Sequence, residues 1–303
     1  MTEVYNRYKE YDKEYCWQYD IRQKNFFKDI ADSKMSPEEI ENLKVTNFEF
    51  EYIDKTDKES CQRVKRFIET HEYLGKLPNR PTHRFIARTK SRGEIGGVII
   101  MAVPNTFSLL LGEDYKNREK LLSRGACISW APKHLGSWLV MESVRWMAKN
   151  TDFCIFTAYS DPEAKELGTI YQACNWVYLG QGSGTITQYF DPEHPEYGWF
   201  SSRNFRHKSK YNRYARELGI KLKPEWWGKY TLKWVEMPED VVISLKNAAK
   251  EYQARCIERE VASKHKYAYI LGKDKRETKK LKKLFEARNP SLMGLEYPKE
   301  RGK

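Results

Sequence analysis

Cysteine is scarce: the 303 residues hold six, at positions 16, 61, 127, 154, 174 and 256, with no CxxC and no Cys/His cluster. That scatter excludes a disulfide framework and a cysteine-based zinc site, and implies buried, reduced thiols. No apolar run approaches the roughly 18 residues that a membrane-crossing helix needs. The opening residues, MTEVYNRYKEYDKEY, are charged where a signal peptide would be apolar. Internal repeats and low-complexity segments are absent too, which excludes a solenoid or a tail of biased composition. The expectation is a soluble, cytoplasmic protein with no membrane partner; nothing in the sequence speaks to its oligomeric state.

Positive charge is what the chain has in excess, and it is unevenly placed. The net charge is +12. Residues 1–202 hold 27 Lys and Arg against 29 Asp and Glu, whereas residues 203–303 hold 27 against 13. A near-neutral body with a basic last third suggests a catalytic core carrying a polyanion-binding appendage; a solvated basic tail is the plainer alternative.

The stretch FCIFTAYSDPEAKELGTIYQACNWVYLGQG, from Phe153 to Gly182, organises the rest. Phe153 to Tyr159 reads as a buried strand. Asp161-Pro162 reads as an N-cap followed by proline at the first helical position. Ala164, Leu167, Tyr171 and Cys174 then recur at helical spacing, Asn175 ends the helix, and Trp176 to Leu179 reads as the next strand. The central strand thus delivers Tyr159, Ser160 and Asp161 beside a helix N-terminus, a common way to build a reactive site.

Upstream, residues 1–45 read as a helical extension with a capping box at Ser36 and Glu39. FEFEYI (48–53) reads as a strand. Cys61, Val64, Ile68 and His71 mark one face of a helix stopping at Gly75. HRFIART (83–89) and EIGGVIIMAVP (94–104) form a hairpin, and a long loop over 105–123 leads to the strand GACISW (125–130). A helix follows whose apolar face is Leu135, Trp138, Met141, Val144 and Ala148. Downstream, TITQYF (185–190) reads as a strand, 191–205 as an exit loop, and 206–234 as basic residues interleaved with aromatics. Helices are expected over 237–260 and 275–288, with KHKYAYILG (264–272) as a strand between them. The domains expected are a helical extension (1–45), a core (46–200) and a basic, aromatic-rich C-terminal region packed on that core (201–303).

That order of elements resembles the GNAT acyltransferase superfamily: an α+β fold with a mixed, mostly antiparallel sheet flanked by helices. SRGACISWAPKHLGSWL (123–139), AYSDPEAKELGTIYQACNWVYLG (158–180), KHKYAYILG…YPK (264–299) and His71-Glu72-Tyr73 more specifically resemble the Mom family of bacteriophage DNA-modification proteins. The resemblance implies a transferase adding a small glycine-derived, carbamoylmethyl-type group to the N6 amine of adenine in double-stranded DNA, which shields phage DNA from host restriction. The alternative is a GNAT-type N-acyltransferase acting on a protein or small amine.

The donor loop of such enzymes corresponds to Lys133, His134, Gly136 and Ser137. Bulky Trp138 stands where a second small residue is expected, which argues against acetyl-CoA; a glycyl-tRNA donor would suit a glycine-derived product. Adenine's amine is a weak nucleophile and needs a proton acceptor, a proton donor and exclusion of water. Asp161 is the acceptor candidate, with a plain N-cap as its other reading. Tyr171 sits where such enzymes place a general acid, with core packing as its other reading. His71 and Tyr73 match a histidine–tyrosine pair of the family, and Tyr159 and Ser160 would shape the pocket. A His71–Asp161 pair could hold a metal ion, with no spacing signal behind it. A flipped-out base would be met by Arg206, Lys208, Lys210, Arg213, Trp226 and Trp227, which suit backbone contact plus stacking.

Overall fold

The computed structural model describes residues 16–228 and 231–299. Residues 1–15 of the expected N-terminal extension, 229–230 of the basic-aromatic stretch and 300–303 at the chain's end lie outside them. In chain order the first elements are α1 (Trp17–Ser33), α2 (Pro37–Glu41), β1 (Phe48–Ile53), α3 (Lys58–His71), β2 (Pro81–Thr89), β3 (Ile95–Ala102), β4 (Glu119–Cys127), α4 (Leu135–Asn150) and β5 (Ile155–Ser160). There follow α5 (Thr169–Ala173), β6 (Val177–Gln181), β7 (Thr185–Phe190), β8 (Phe200–Ser201), α6 (Lys208–Glu217), α7 (Glu239–Arg255), β9 (Ile257–Ala262), β10 (His265–Ile270) and α8 (Lys275–Arg288).

Two compact units result, Met1–Gly182 with Lys264–Lys303, and Ser183–Ser263. The expected division at residue 201 is therefore corrected: the second unit begins at 183 and the chain returns to the first at 264. The cause is β10. Tyr267 and Ala268 are wholly buried, and β10 lies between β5 and β6 with both edges hydrogen-bonded. A strand buried on both sides belongs to a core rather than to a surface appendage.

The first unit is a seven-stranded sheet in the order β1-β2-β3-β4-β5-β10-β6. Every neighbouring pair is antiparallel except β4 with β5. Alternation along β2 shows how its two faces are filled. Phe85 and Ala87 join a cluster with Leu139, Val144 and Met147 of α4 and Phe26 of α1. Ile86 joins Val64, Phe67 and Ile68 of α3. A third cluster packs Leu281 and Phe285 of α8 on Ile155, Ala268 and Ile270. The order of elements from β1 to β6 is the one the acyltransferase resemblance implies.

Three local expectations change. β4 begins at Glu119, inside the stretch expected to be loop, because its charges are satisfied internally. The Glu119 carboxylate accepts from Ser108 N and Oγ, both at 2.7 Å, and from Thr157 Oγ1 at 2.9 Å; Lys120 Nζ lies 4.3 Å from the centre of the Phe153 ring. The helix after Asp161 is broken into a 3-10 turn, Pro162–Ala164, and the short α5. On α4 the buried face runs through Leu135, Leu139, Val140, Val144 and Met147, leaving Trp138 and Met141 at its margin.

The second unit pairs β8, β7 and β9 antiparallel. Its core holds Tyr189, Phe205, Tyr211, Tyr214, Trp226 and Leu245. IEREVA is strand β9 rather than the end of the helix before it, which stops at Arg255.

Candidate active site

β4 and β5 pair only from Glu119 to Leu122 against Ile155 to Ala158. Beyond that register they part, and the gap is a cleft of about 630 Å³, a size suited to a small ligand. Leu122, Gly125, Ala126 and Cys127 line it from β4, and Ser160 from β5. The start of α4 contributes Lys133, His134, Gly136 and Ser137, and the loop into α5 with the first turn of α5 contributes Lys165 to Tyr171. α1 adds Gln18, Tyr19 and Arg22. The four expected donor-loop residues and two of the six expected catalytic residues, Ser160 and Tyr171, thus face one space. Tyr159, Asp161, His71 and Tyr73 do not line it.

Asp161 is committed on both oxygens. Oδ1 caps the 3-10 turn by accepting from Glu163 N at 3.1 Å, and Oδ2 pairs with Lys264 Nζ at 2.7 Å. His71 is buried and faces Asp29, with Nδ1 to Oδ2 at 3.6 Å, rather than Asp161; burial pushes its pKa down. The pair imagined as a metal site is therefore not formed. Among the described residues no group of three or more His, Cys, Asp or Glu could hold a metal. Tyr73 packs edge-on against Trp17 at 5.9 Å, and burial raises its pKa strongly, helped by the charges of Glu166, Asp161 and Glu72. Tyr159 is 39% exposed.

Glu166 is the site residue that motif reasoning missed. It lines the cleft, and its main-chain N–H donates to Asp161 O at 3.0 Å, while Asp161 N–H reaches back to its Oε2 at 3.4 Å. Burial pushes its carboxyl up to about 7; the charges of Asp161 and Glu72 add to this, and the Asp161 N–H and Lys264 oppose it. Glu72 is buried as well, 3.9 Å from Arg124, and its carboxyl is likewise raised by burial. Tyr171 completes the group. Burial and then Glu166 hold its phenol protonated, and its hydroxyl has no hydrogen-bond partner among the described residues. A carboxyl and a phenol both pushed up by burial thus face the cleft together, two groups able to exchange protons with a bound ligand. The available signal was the short spacing of Glu166 from Asp161, but a glutamate in a polar loop reads as solvated until the fold buries it.

At the donor loop, His134 takes the left-handed conformation (φ 68°) and α4 begins behind it. Gly136 keeps the backbone bare: a Cβ there would stand 3.2 Å from Ile170 Cδ1. Trp138 is not part of the cleft wall; it packs at the edge of the main core, so the obstruction expected of it does not arise.

The expected DNA-contacting stretch is largely the interior of the second unit. Trp226 is buried, and so is Lys210, whose Nζ donates to Tyr252 Oη at 3.2 Å while that hydroxyl donates to Asp191 at 2.6 Å. Arg213 stacks on Tyr252 and pairs with Glu217. Arg206 and Lys208 are exposed, with Lys208 over the Trp227 ring at 4.7 Å. The interleaved aromatics exist to fill a small core.

One parallel pair in an otherwise antiparallel sheet, opening into a cleft at the start of the following helix, defines a GNAT-like α/β protein. Within that class the match is specific: the model of the Mom protein family covers residues 52–223, more than half the chain, and the chain belongs to that family. Curated protein sequences give no match. Among solved structures, ribosomal-protein-S5-alanine acetyltransferase from Vibrio fischeri is similar at 13% identity and a TM-score of 0.34, over 45% of this chain and 82% of that one. Spermidine/spermine N-acetyltransferase from Vibrio cholerae is similar at 12% identity and 0.31, over 47% and 83%. A GNAT-family acetyltransferase from Listeria monocytogenes is similar at 12% and 0.32, over 45% and 90%. Likeness at this level says nothing about substrate or donor.

Proposed function

We propose that the protein is a DNA-modifying transferase that places a small glycine-derived, carbamoylmethyl-type group on the N6 amine of adenine, protecting phage DNA from host restriction. The observation that carries this reading, beside family membership, is Glu166 in the cleft next to Tyr171, its carboxyl tuned to about 7. An amine whose lone pair is delocalised into a ring needs its proton removed as it attacks, and a base of that pKa is matched to the task near neutral pH. Glu166 takes the proton lost from N6, and Tyr171 gives one to the leaving group. Tyr19, Val140 and Ile170 supply apolar wall against which a flipped base can lie.

Lys133, His134 and the bare backbone at Gly136 fit an anionic donor group, a pyrophosphate or a phosphodiester, at the start of a helix. A glycyl ester or thioester held there supplies an activated carbonyl, whose C–O or C–S bond breaks as the C–N bond to adenine forms. This first product is the N6-glycyl amide. The isomeric carbamoylmethyl group follows from it by exchange of the two nitrogens within the glycyl unit, N6 passing to the methylene carbon and the glycyl nitrogen to the carbonyl. The displacement of Trp138 from the cleft leaves room for coenzyme A and so favours keeping the N-acyltransferase alternative.

The test is digestion of DNA from expressing cells to nucleosides, followed by mass spectrometry. A shifted deoxyadenosine peak is expected, absent in Glu166→Gln, and fragmentation separates the carbamoylmethyl product from its glycyl-amide isomer. Unmodified deoxyadenosine in every preparation, together with micromolar binding of acetyl-CoA by calorimetry, would move the N-acyltransferase reading to first place.

A further inference from the structure

The second large concavity of the first unit lies away from the cleft. Its walls are the last turns of α4, the turn Leu271–Asp274 and one stripe of α8, around a groove of about 740 Å³. Lys149 faces it from α4, and Lys275, Lys279, Lys282 and Lys283 face it from α8. All five are exposed, and none makes an ion pair among the described residues. Arg145 and Lys273 also line it, held by Glu142 and Asp152 respectively. Of the two acids present, Asp274 is occupied in capping α8 through Glu277 N at 2.8 Å, which leaves Glu286.

This pattern is not what folding alone would select. Positions 275, 279, 282 and 283 recur every three or four residues, so they form one stripe of α8, while Leu281 and Phe285 on another stripe bury into the core. Like charges on a common stripe repel, and Lys275 sits in the first turn, where the helix dipole disfavours a cation. A segment 126 residues before Lys275 then adds Lys149 across the groove. The floor, Ala148 and Gly272, is buried, so the charge is carried on the walls and rims of a channel. From 275 to 283 the lysines span about 12 Å at 1.5 Å per residue, the axial length of about three to four base-pair steps.

We propose that this groove is the phosphate-backbone seat for duplex DNA, holding the substrate by charge without reading its sequence. The proposal rests on the reading of the protein as a DNA-modifying enzyme and moves the main duplex contact from residues 206–234 to α8 and the end of α4. It explains why the lysines converge without carboxylate partners: backbone phosphates are the missing counter-charges.

Deleting α8 would remove Leu281 and Phe285 from the core, so the test uses the full-length chain with Lys275→Gln, Lys279→Gln, Lys282→Gln and Lys283→Gln combined. Fluorescence anisotropy of a labelled duplex is followed across a salt series. The slope of log affinity against log salt should flatten by about 3.6, since each of the four phosphate contacts contributes about 0.9, and the weakening should be equal on unrelated sequences. A control removing the same charge at Lys24, Lys28, Lys55 and Lys58, all exposed on other elements, should keep the wild-type slope. On DNA the four-lysine variant should show a raised KM and an unchanged kcat, because no cleft residue is altered. An unchanged slope, an equal loss in the control, or loss of transfer-RNA binding with duplex binding intact would each overturn the proposal. Failure of the enzymatic reading shows separately, as absence of modified deoxyadenosine with the wild-type chain whatever its salt slope.

Discussion

Glu166 is held near neutrality by a balance of neighbours, and each can be altered alone. Burial is the largest influence; Asp161 and Glu72 raise the pKa by their charge, and Lys264 lowers it. As a base Glu166 acts only when ionised, so the modification rate should rise with pH through about 7. Asp161→Asn keeps the cap on the 3-10 turn, removes the repelling charge and frees Lys264, so its rising limb should move to lower pH. Lys264→Gln should move it higher. Glu166→Gln should lower the rate by roughly 100-fold or more. Its stability should move the other way. Glu166 has a folded pKa raised above its ordinary 4.5, so the wild type is unpenalised below pH 4.5 and loses stability as pH rises through 7. The glutamine variant should therefore match the wild-type Tm in acid and exceed it above pH 7. A lower Tm at pH 8, or limbs that do not move in opposite directions, would remove Glu166 from the proton path.

The loop that presents Glu166 is fixed by a glycine. Gly168 takes φ 68°, and a Cβ there would stand 2.5 Å from the ring of Tyr267, the buried residue at the middle of β10. The Tyr267 hydroxyl and Gln172 Nε2 both donate to Leu167 O, so the turn is bonded to the sheet through β10 and to α5. Gly168→Ala should cost roughly 2–4 kcal/mol from backbone strain and overpacking together, read as a lowered Tm in thermal unfolding. The same residue shows where sequence reasoning stopped. Apolar spacing over Ala164, Leu167 and Tyr171 fits a helix, but the position of Tyr267, a hundred residues on, forces a break at 168. Elements set by local period alone were legible: FEFEYI and TITQYF are β1 and β7, and 275–288 is α8. β4 was obscured because Glu119 and Lys120 are charged residues inside a sheet, satisfied only by partners from elsewhere. Of the cleft wall, Lys133, His134, Gly136 and Ser137 at the start of α4, Ser160 at the end of β5, and Tyr171 were legible, whereas Tyr159 and Asp161 beside Ser160 do not line it. Glu166 and the cleft residues of α1 were not, since only tertiary burial distinguishes them from surface.

The second unit is an insertion in a hairpin. β6 and β10 are antiparallel neighbours, with Gln181 opposite His265 and Gly182 N–H bonded to Lys264 O at 3.2 Å. Residues 183–263 leave and re-enter between those last two positions, and the insert closes at its own base, where Ser263 Oγ donates to Gly184 O at 3.0 Å. It has a core of its own around Tyr214, Trp226 and Leu245. Replacing 183–263 by Asn-Gly should therefore restore a two-residue hairpin, because that pair suits the type I′ turn joining antiparallel strands. The shortened protein should unfold in one cooperative transition and keep its near-ultraviolet circular dichroism. Charge gives the experiment its second reading. The insert holds 14 Lys and Arg against 11 Asp and Glu, leaving 40 against 31 in the rest of the chain. With most of the net charge and the whole α4–α8 groove retained, duplex binding by the shortened protein should keep most of its salt slope. A folded product whose slope falls by more than half would put the principal phosphate contacts on the insert, through exposed residues such as Arg206 and Lys208. A product that fails to fold would show that the insert supports the sheet it interrupts.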